Sequence, residues 1–295
     1  MQIKIGIIGI GSIGSVIAKA LLKSNQNDIK YYTRSPKTAI QIEYNSKRES
    51  FPIQCESKIS TNNNLDWLII CLKAYHFDDA RSLFESLIRE NTKVAIIRNG
   101  INLSEDIEPF TNKESILPCI IDCPVQPKEN GYYWQLKHPA ITTRRSDLSD
   151  EFSKLFSLEA ITLNQVKDFK TATWKKLIES ASIGSLLCLT GQTCHIFQDK
   201  KILDLYRSLL KEGIEVAIAD GAIIDEDFEE KLILKLQQYP NEKGSSMLAD
   251  MTLGNKIELD AKNGAISKVA QSYNIETPIT DLFCTLIRQI NVKAK

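Results

Sequence analysis

Ile3-Lys4-Ile5-Gly6-Ile7-Ile8-Gly9-Ile10-Gly11-Ser12-Ile13-Gly14 is the stretch that decides how this chain folds. An apolar strand runs straight into three glycines. Val16, Ile17, Ala20, Leu21 and Leu22 then follow in a helical pattern. Strand, Gly-x-Gly-x-x-Gly turn and helix together form a dinucleotide-binding fingerprint. Gly9 permits the tight turn, Gly11 lets the backbone approach a pyrophosphate, and Gly14 lets the helix pack against the strand. Ser12 and Ile13 open that helix. Its N-terminus offers unpaired N–H groups and the positive end of its dipole to phosphates.

Outward from this turn, the first half alternates strand and helix signals. Ile3–Ile8, Ile29–Thr33, Trp67–Leu72, Val94–Ile97 and Ile116–Ile121 read as strands, and Asp78 to Arg89 reads as a helix between two of them. Such alternation predicts βαβ units, with a parallel sheet covered on both faces. Tyr132–Leu136, Ala140–Thr143 and Ala160–Leu163 are expected as further, antiparallel strands. From Asp168 onward no strand pattern is found. Ile202, Leu205, Tyr206, Leu209, Leu210 and Ile214 make one wide apolar stripe, and Ile279, Leu282, Phe283, Leu286, Ile287 and Ile290 make another. Thr277 is the expected N-cap of the latter, with Pro278 at the first helical position. The expected architecture is therefore α/β: an N-terminal Rossmann-type doubly wound sheet over residues 1–167, then an all-helical substrate domain over residues 168–295. A cleft between the domains is the expected place for a substrate, beyond the carboxyl ends of the strands.

Composition narrows the function classes. The 295 residues suffice for two domains, and 43% hydrophobic content supplies a substantial core. Lys plus Arg and Asp plus Glu both number 37, so no net charge points to nucleic acid or an anionic membrane. No apolar run approaches the ~18 residues of a membrane span. Seven cysteines form no Cys-x-x-Cys pair and only three histidines are present, so no metal site is expected. The odd cysteine count fits a reducing, cytoplasmic compartment.

The second strand leads to Arg34, twenty residues past Gly14, with Ser35 and Lys37 following. An NAD site usually places a carboxylate near here for the ribose hydroxyls. A guanidinium instead pairs bidentately with a 2′-phosphate, which a carboxylate would repel. NADP(H) is thus the expected cofactor.

Five stretches carry a family resemblance over nearly the full length. They are Gly9 to Gly14; Cys71-Leu72-Lys73-Ala74, with a lysine ending a buried strand; Arg98-Asn99-Gly100; Trp174-Lys175-Lys176-Leu177; and Ser245-Ser246-Met247-Leu248-Ala249-Asp250 with Glu258-Leu259-Asp260 and Asn263-Gly264. On these the chain resembles the ketopantoate reductase (2-dehydropantoate 2-reductase) family. The resemblance implies reduction of a 2-keto acid by hydride from NADPH, in pantothenate biosynthesis. It implies Lys176 as general acid, because a lysine in a low-dielectric cleft releases its proton more readily. It implies Glu258 as the acidic partner that binds substrate and places that lysine, and Ser246 as hydroxyl donor to the substrate carboxylate. Asn99 and Lys73 would line the nicotinamide end. The oligomeric state is open, with a homodimer among the options.

Departures from the family concentrate at the substrate positions. Ser180 stands where Asn usually follows the catalytic lysine by one turn, Cys194 where Asn helps hold the substrate hydroxyl, and Lys243 where Asn precedes the paired serines. The family's Asn-Pro-Leu-Thr-Ala-like stretch reads Gly184-Ser185-Leu186-Leu187-Cys188. Ser180 shares a helix face with Lys176 and is expected to look toward the substrate. Missing polar contacts change substrate selection strongly. Two rivals therefore stand beside ketopantoate reduction: a related reductase of another small branched 2-keto or 2-hydroxy acid, and a non-catalytic NADP(H)-binding sensor.

Overall fold

A computed structural model describes residues 2–24, 27–56, 64–128 and 131–293. The chain divides into two compact units, Met1–Arg98 with Asn102–Phe169, and Asn99–Ile101 with Lys170–Lys295.

The first unit begins with β1 (Ile3–Ile8), α1 (Ser12–Leu22), β2 (Asn27–Tyr32), β3 (Ala39–Tyr44), β4 (Lys47–Pro52) and β5 (Trp67–Ile70). It continues through α2 (Arg81–Leu87), β6 (Lys93–Ile97), β7 (Ile116–Asp122), β8 (Val125–Pro127), β9 (Tyr133–Gln135), β10 (Ala140–Arg144), α3 (Asp147–Ser153) and β11 (Thr162–Val166). Seven strands pair in the order β11-β10-β7-β6-β5-β1-β2. All neighbours from β7 to β2 are parallel. The chain leaves β1 for β2 on one side and later enters β5 on the other. The strand order therefore reverses at β1, the switch point where open α/β sheets bind ligands.

Both faces of this sheet are covered, so its strands read as unbroken apolar runs. Side chains nevertheless alternate. Ile5, Ile7, Trp67, Ile69, Ala95 and Ile97 join one core with Val16, Ile17 and Leu21 of α1. Ile8, Leu68, Ile70, Val94 and Ile96 join the opposite core with Phe84 and Leu87 of α2. The helix expected from Asp78 is α-helical only from Arg81, because two 3₁₀ turns at Ala74–His76 and Asp78–Ala80 precede it.

One expectation for the later strands is corrected. β10 is antiparallel to β7 as expected, but β11 is parallel to β10. β9 is antiparallel to β8 as expected; both belong to a second sheet, ordered β4-β3-β9-β8, in which β9 also runs parallel to β3. The β3–β4 hairpin of that sheet turns through Asn45 (φ 48°) and Ser46 (φ 60°), a two-residue turn with positive φ at both positions. Ile40 and Ile42 point inward from β3 to the core of α1, and Lys19 of α1 pairs with Glu49 of β4 at 2.6 Å.

The second unit holds α4 (Phe169–Thr190), α5 (Lys200–Ala219), α6 (Phe228–Gln237), α7 (Ser246–Thr252), α8 (Asn263–Ser272) and α9 (Pro278–Lys293). Thirteen of the 22 residues of α4 are buried, spread round its whole circumference. The stretch from Ala181 to Cys188, apolar or small on every side, must sit inside a bundle. Trp174, Leu177, Ile178, Ala181 and Leu186 of α4 accordingly share a core with Tyr206, Leu209, Leu210, Ile233, Ile266 and Phe283. Asp199 caps α5 through the N–H groups of Lys201 and Ile202. Thr277 stands at the N-cap position of α9, its carbonyl accepting from Asp281 N–H at 2.8 Å. Both carboxylate oxygens of Glu212, from α5, accept the N–H groups of Ile279 and Thr280 at 2.8 Å. That carboxylate satisfies two of the open N–H groups of the helix end, and Pro278 stands at the first helical position as expected.

Candidate functional site

The glycine turn lies at the carboxyl end of β1. Its backbone is tied to both neighbouring strands, with Gly9 N–H donating to Tyr32 O at 3.0 Å and Cys71 N–H to Ile8 O at 2.9 Å. Gly9 has φ +88°, a region that L side chains rarely adopt. A Cβ on Gly14 would stand 1.8 Å from the Gly9 carbonyl oxygen, so the helix can approach the strand only with glycine there. A Cβ on Gly11 would meet nothing within 4 Å. Gly11 itself is the N-cap of α1, with no side-chain cap and no acidic residue in the first turn. Open space above Gly11 and a helix start at Ser12 and Ile13 without a side-chain cap fit the pyrophosphate of a dinucleotide.

Arg34 and Lys73 both follow strands adjacent to β1. Tyr32 pairs with Ile8 at the end of β2, and Arg34 lies exposed two residues beyond. Lys73 follows β5 by three residues and is half-buried, with its Nζ 5.9 Å from the centre of the Tyr75 ring. Arg34 and Lys73 thus follow the two strands that flank β1, on either side of the glycine turn in the strand order.

The remaining sequence-predicted residues belong to the second unit. Asn99 follows β6 by two residues, and its Nδ2 donates to Glu258 Oε2 over a long 3.5 Å. The two are 159 residues apart in sequence. Glu258 is buried. Preceding Asn99, Arg98 is spent structurally, on Asp106 at 2.6 Å and over the Phe77 ring at 4.6 Å.

Lys175 and Lys176 diverge on α4. Lys175 pairs with Asp225 at 2.5 Å and lies 5.6 Å from the centre of the Phe228 ring. The charge of Lys176 is felt by Glu179, one turn further along α4. Burial pushes the Glu179 carboxyl up. The ammonium groups of Lys176 and Lys235, with hydrogen bonds from Lys235 and Tyr239, outweigh this and hold it below its ordinary value. Ser180 is half-buried, and its Oγ donates to Leu177 O at 3.3 Å, within its own helix. A hydroxyl bonded in this way keeps only its acceptor lone pairs for other partners.

Ser246 is the first residue of α7. The N-cap role belongs to Ser245, whose Oγ accepts from Leu248 N–H at 3.1 Å, so the exposed Ser246 hydroxyl is not spent on the helix. It accepts instead from Lys262 Nζ at 3.1 Å.

Cys194 and Lys243, both expected at substrate positions, lie next to one another. Cys194 N–H donates to Lys243 O at 2.9 Å. The Lys243 ammonium lies over the Tyr239 ring, 3.5 Å from its centre. Burial pulls Lys243 below the ordinary lysine value, against the opposing pull of Cys194 and Glu179. Burial likewise pushes the Cys194 thiol up. Glu179 and Lys262 were not singled out in the sequence. A lone lysine or glutamate normally reads as solvated, and only packing reveals otherwise. The one available signal was position: Lys262 lies between Asp260 and Asn263 of the motif, and Glu179 lies one turn after Lys176.

Residues 5–145 match the family model described as Ketopantoate reductase PanE/ApbA, and residues 168–291 match Ketopantoate reductase PanE/ApbA C terminal. A Mycobacterium tuberculosis protein named 2-dehydropantoate 2-reductase is 27% identical over 292 residues, covering 97% of each chain. A Caulobacter vibrioides protein of the same name is 27% identical, covering 96% of this chain and 97% of its own. Among solved structures, a dimeric ketopantoate reductase from Staphylococcus aureus superposes with TM-score 0.88 at 24% identity, covering 99% of this chain and 100% of that one. A 2-dehydropantoate 2-reductase from Geobacter metallireducens reaches TM-score 0.90 at 20% identity, over 97% and 99%. D-mandelate dehydrogenase with NADH and anilino(oxo)acetate reaches 0.89 at 16% identity, over 99% of both chains. At these identities the structural likenesses establish the fold.

Proposed function

Because this chain belongs to the ketopantoate reductase family, we propose that it reduces 2-dehydropantoate to pantoate with NADPH, a step of pantothenate biosynthesis. That it is an oxidoreductase follows from the family; the cofactor, the substrate and the residue roles are our reading. The glycine turn at Gly9, Gly11 and Gly14, with the N–H groups of Ser12 and Ile13, would hold the pyrophosphate. Arg34 would hold the 2′-phosphate, and Lys73 and Asn99 would face the nicotinamide end. When bound, the reduced nicotinamide supplies the hydride that adds to the carbonyl carbon. Lys176 Nζ gives a proton to the carbonyl oxygen as negative charge builds there, completing the hydroxyl. Glu258 binds the substrate and orients that lysine, and Ser246 donates to the substrate carboxylate. The observation that carries this reading is the Asn99–Glu258 contact. It brings the amide following β6 to the carboxylate of the distant motif, as a substrate site built from both would require.

The Cys194–Lys243 pair favours a second reading, in which the pocket takes another small branched 2-keto acid. The deciding measurement is NADPH consumption with ketopantoate beside plain branched 2-keto acids. A kcat/KM that favours ketopantoate supports the first reading, and a reversed ratio supports the second. Tight NADPH binding with no turnover of any keto acid would overturn both in favour of a sensor. We further propose a homodimer, the state named for the Staphylococcus aureus protein. A reducing, cytoplasmic setting is proposed from the seven free cysteines. Among the described residues no helix is long and apolar enough to cross a membrane.

A further inference from the structure

Lys262 is 2% exposed, although lysine is almost never fully buried without a partner. The proposed reaction gives it no task. Its backbone is fixed by the start of α8: its N–H donates to Leu259 O at 3.0 Å, and its carbonyl accepts from Ala265 at 3.0 Å and Ile266 at 3.2 Å. Its side chain runs inward to α4 and α7. A Cβ on Gly184 would stand 3.7 Å from Lys262 Nζ and 2.7 Å from Met247 Sδ, so the glycine in α4 makes the room that this ammonium and Met247 fill. The Cys188 thiol is pushed up to about 11 by burial and by the Asp250 carboxylate, against the opposing effect of the Lys262 ammonium.

The ammonium ends on Ser246 Oγ at 3.1 Å. An ammonium only donates, so one lone pair of that oxygen is taken and the hydroxyl hydrogen must turn away from it. Ser246 is exposed, and its neighbour Ser245 already caps α7. The hydroxyl is therefore held as an outward-facing donor, polarised by a positive charge behind it. A hydrogen bond to an ionised acceptor is about twice as strong as a neutral one. We propose that Lys262 is a positioning residue that commits Ser246 to donate to the carboxylate of the 2-keto acid and biases the site toward anionic substrates. This rests on the substrate reading above, and on Ser246 in particular.

The test compares binding of pantoate with that of its uncharged amide, by calorimetry on the NADP-loaded protein, together with KM and kcat. Lys262→Met keeps length and removes charge. It should weaken pantoate about tenfold or more, leave the amide nearly unchanged, and raise KM more than it lowers kcat. Ser246→Ala, at an exposed position, should lose the same preference, and the double variant should lose little more than either single one. A merely structural lysine would weaken both ligands alike, or lower the melting temperature without changing their ratio; either result overturns the proposal. Should Lys262→Met fail to fold, Ser246→Ala still decides: an unchanged pantoate-to-amide ratio refutes the proposal. A wild type that binds pantoate no better than the amide refutes the substrate reading as well. A wild-type preference that survives both substitutions refutes the roles of Lys262 and Ser246 and leaves the substrate reading standing.

Discussion

At the scale of single residues, the two lysines of Trp174-Lys175-Lys176-Leu177 separate by what surrounds them. Lys175 is held by Asp225, whose carboxyl it lowers. Lys176 is half-buried beside Glu179, which already serves Lys235 and Tyr239. Lys176→Ala should lower kcat by about 10²–10⁴-fold, the usual contribution of a general acid, with NADPH affinity little changed. Lys175→Ala should leave kcat within a few-fold, because it removes one partly exposed ion pair. Steady-state kinetics on both folded variants check this, and a larger loss from Lys175→Ala would contradict the assignment. Arg34, exposed past β2, has a comparable test. Arg34→Asp replaces a bidentate donor with a like charge facing a 2′-phosphate. NADPH affinity should fall tenfold or more, about 1.4 kcal/mol, while NADH affinity barely moves. Equal weakening of both would remove the 2′-phosphate role.

At the scale of elements, the turn between β1 and α1 separates folding from binding within a few residues. Gly14→Ala drives a Cβ into the Gly9 carbonyl at 1.8 Å, so α1 must shift away from β1 and stability should fall. Gly11→Ala meets nothing within 4 Å, and its φ of −84° suits alanine. Its melting temperature without cofactor should match wild type. The stabilisation by saturating NADPH, about 2.7 kcal/mol at a hundredfold excess over Kd, should shrink sharply. Thermal melts with and without NADPH read both effects. An undiminished cofactor shift in Gly11→Ala would mean that the pyrophosphate lies elsewhere. The strands of the main sheet, with α1 and α2, were legible because both sheet faces are covered and the strands read as apolar runs; β8 and α3 were not read. Nor was the β3–β4 hairpin, although Ile40 and Ile42 alternate with polar residues. Its turn is Asn45-Ser46, without the glycine that usually announces positive φ at the second position.

At the scale of the whole molecule, the second unit keeps several titratable groups partly or wholly buried, and acid should expose this. Glu179 lies below its ordinary carboxylate value in the fold. A depressed carboxylate stabilises fully above the unfolded value, about 4.3, and that contribution is lost as pH falls through the folded value. Stability should therefore decline below about pH 5, and part of that decline should vanish in Glu179→Gln. The same substitution should cost about 1–2 kcal/mol at neutral pH, since Lys235 and Lys176 lose a counter-charge, discounted because Lys235 is 39% exposed. Denaturant titrations at pH 4 and pH 7 measure both. A wild-type acid limb retained in the variant would show that other carboxylates govern acid stability.

The glycine spacing, the unbroken apolar strands and the switch to a 3.6-residue period after Asp168 determined the α/β unit, its dinucleotide fingerprint and the helical half. These are local signals: each depends on neighbours within a few residues. Five short motifs carried the family for the same reason. What only the tertiary structure decided involves groups far apart in the chain. Glu212 caps α9 from α5, β9 joins β3 in a second sheet, and Asn99 meets Glu258. Cys194 and Lys243, separate departures when read along the chain, share a backbone hydrogen bond. Lys262 reads as an ordinary surface lysine until Gly184 and Ser246 are seen around it. Burial and hydrogen bonding are properties of the packed chain, and a residue's type constrains but does not specify who its partners will be.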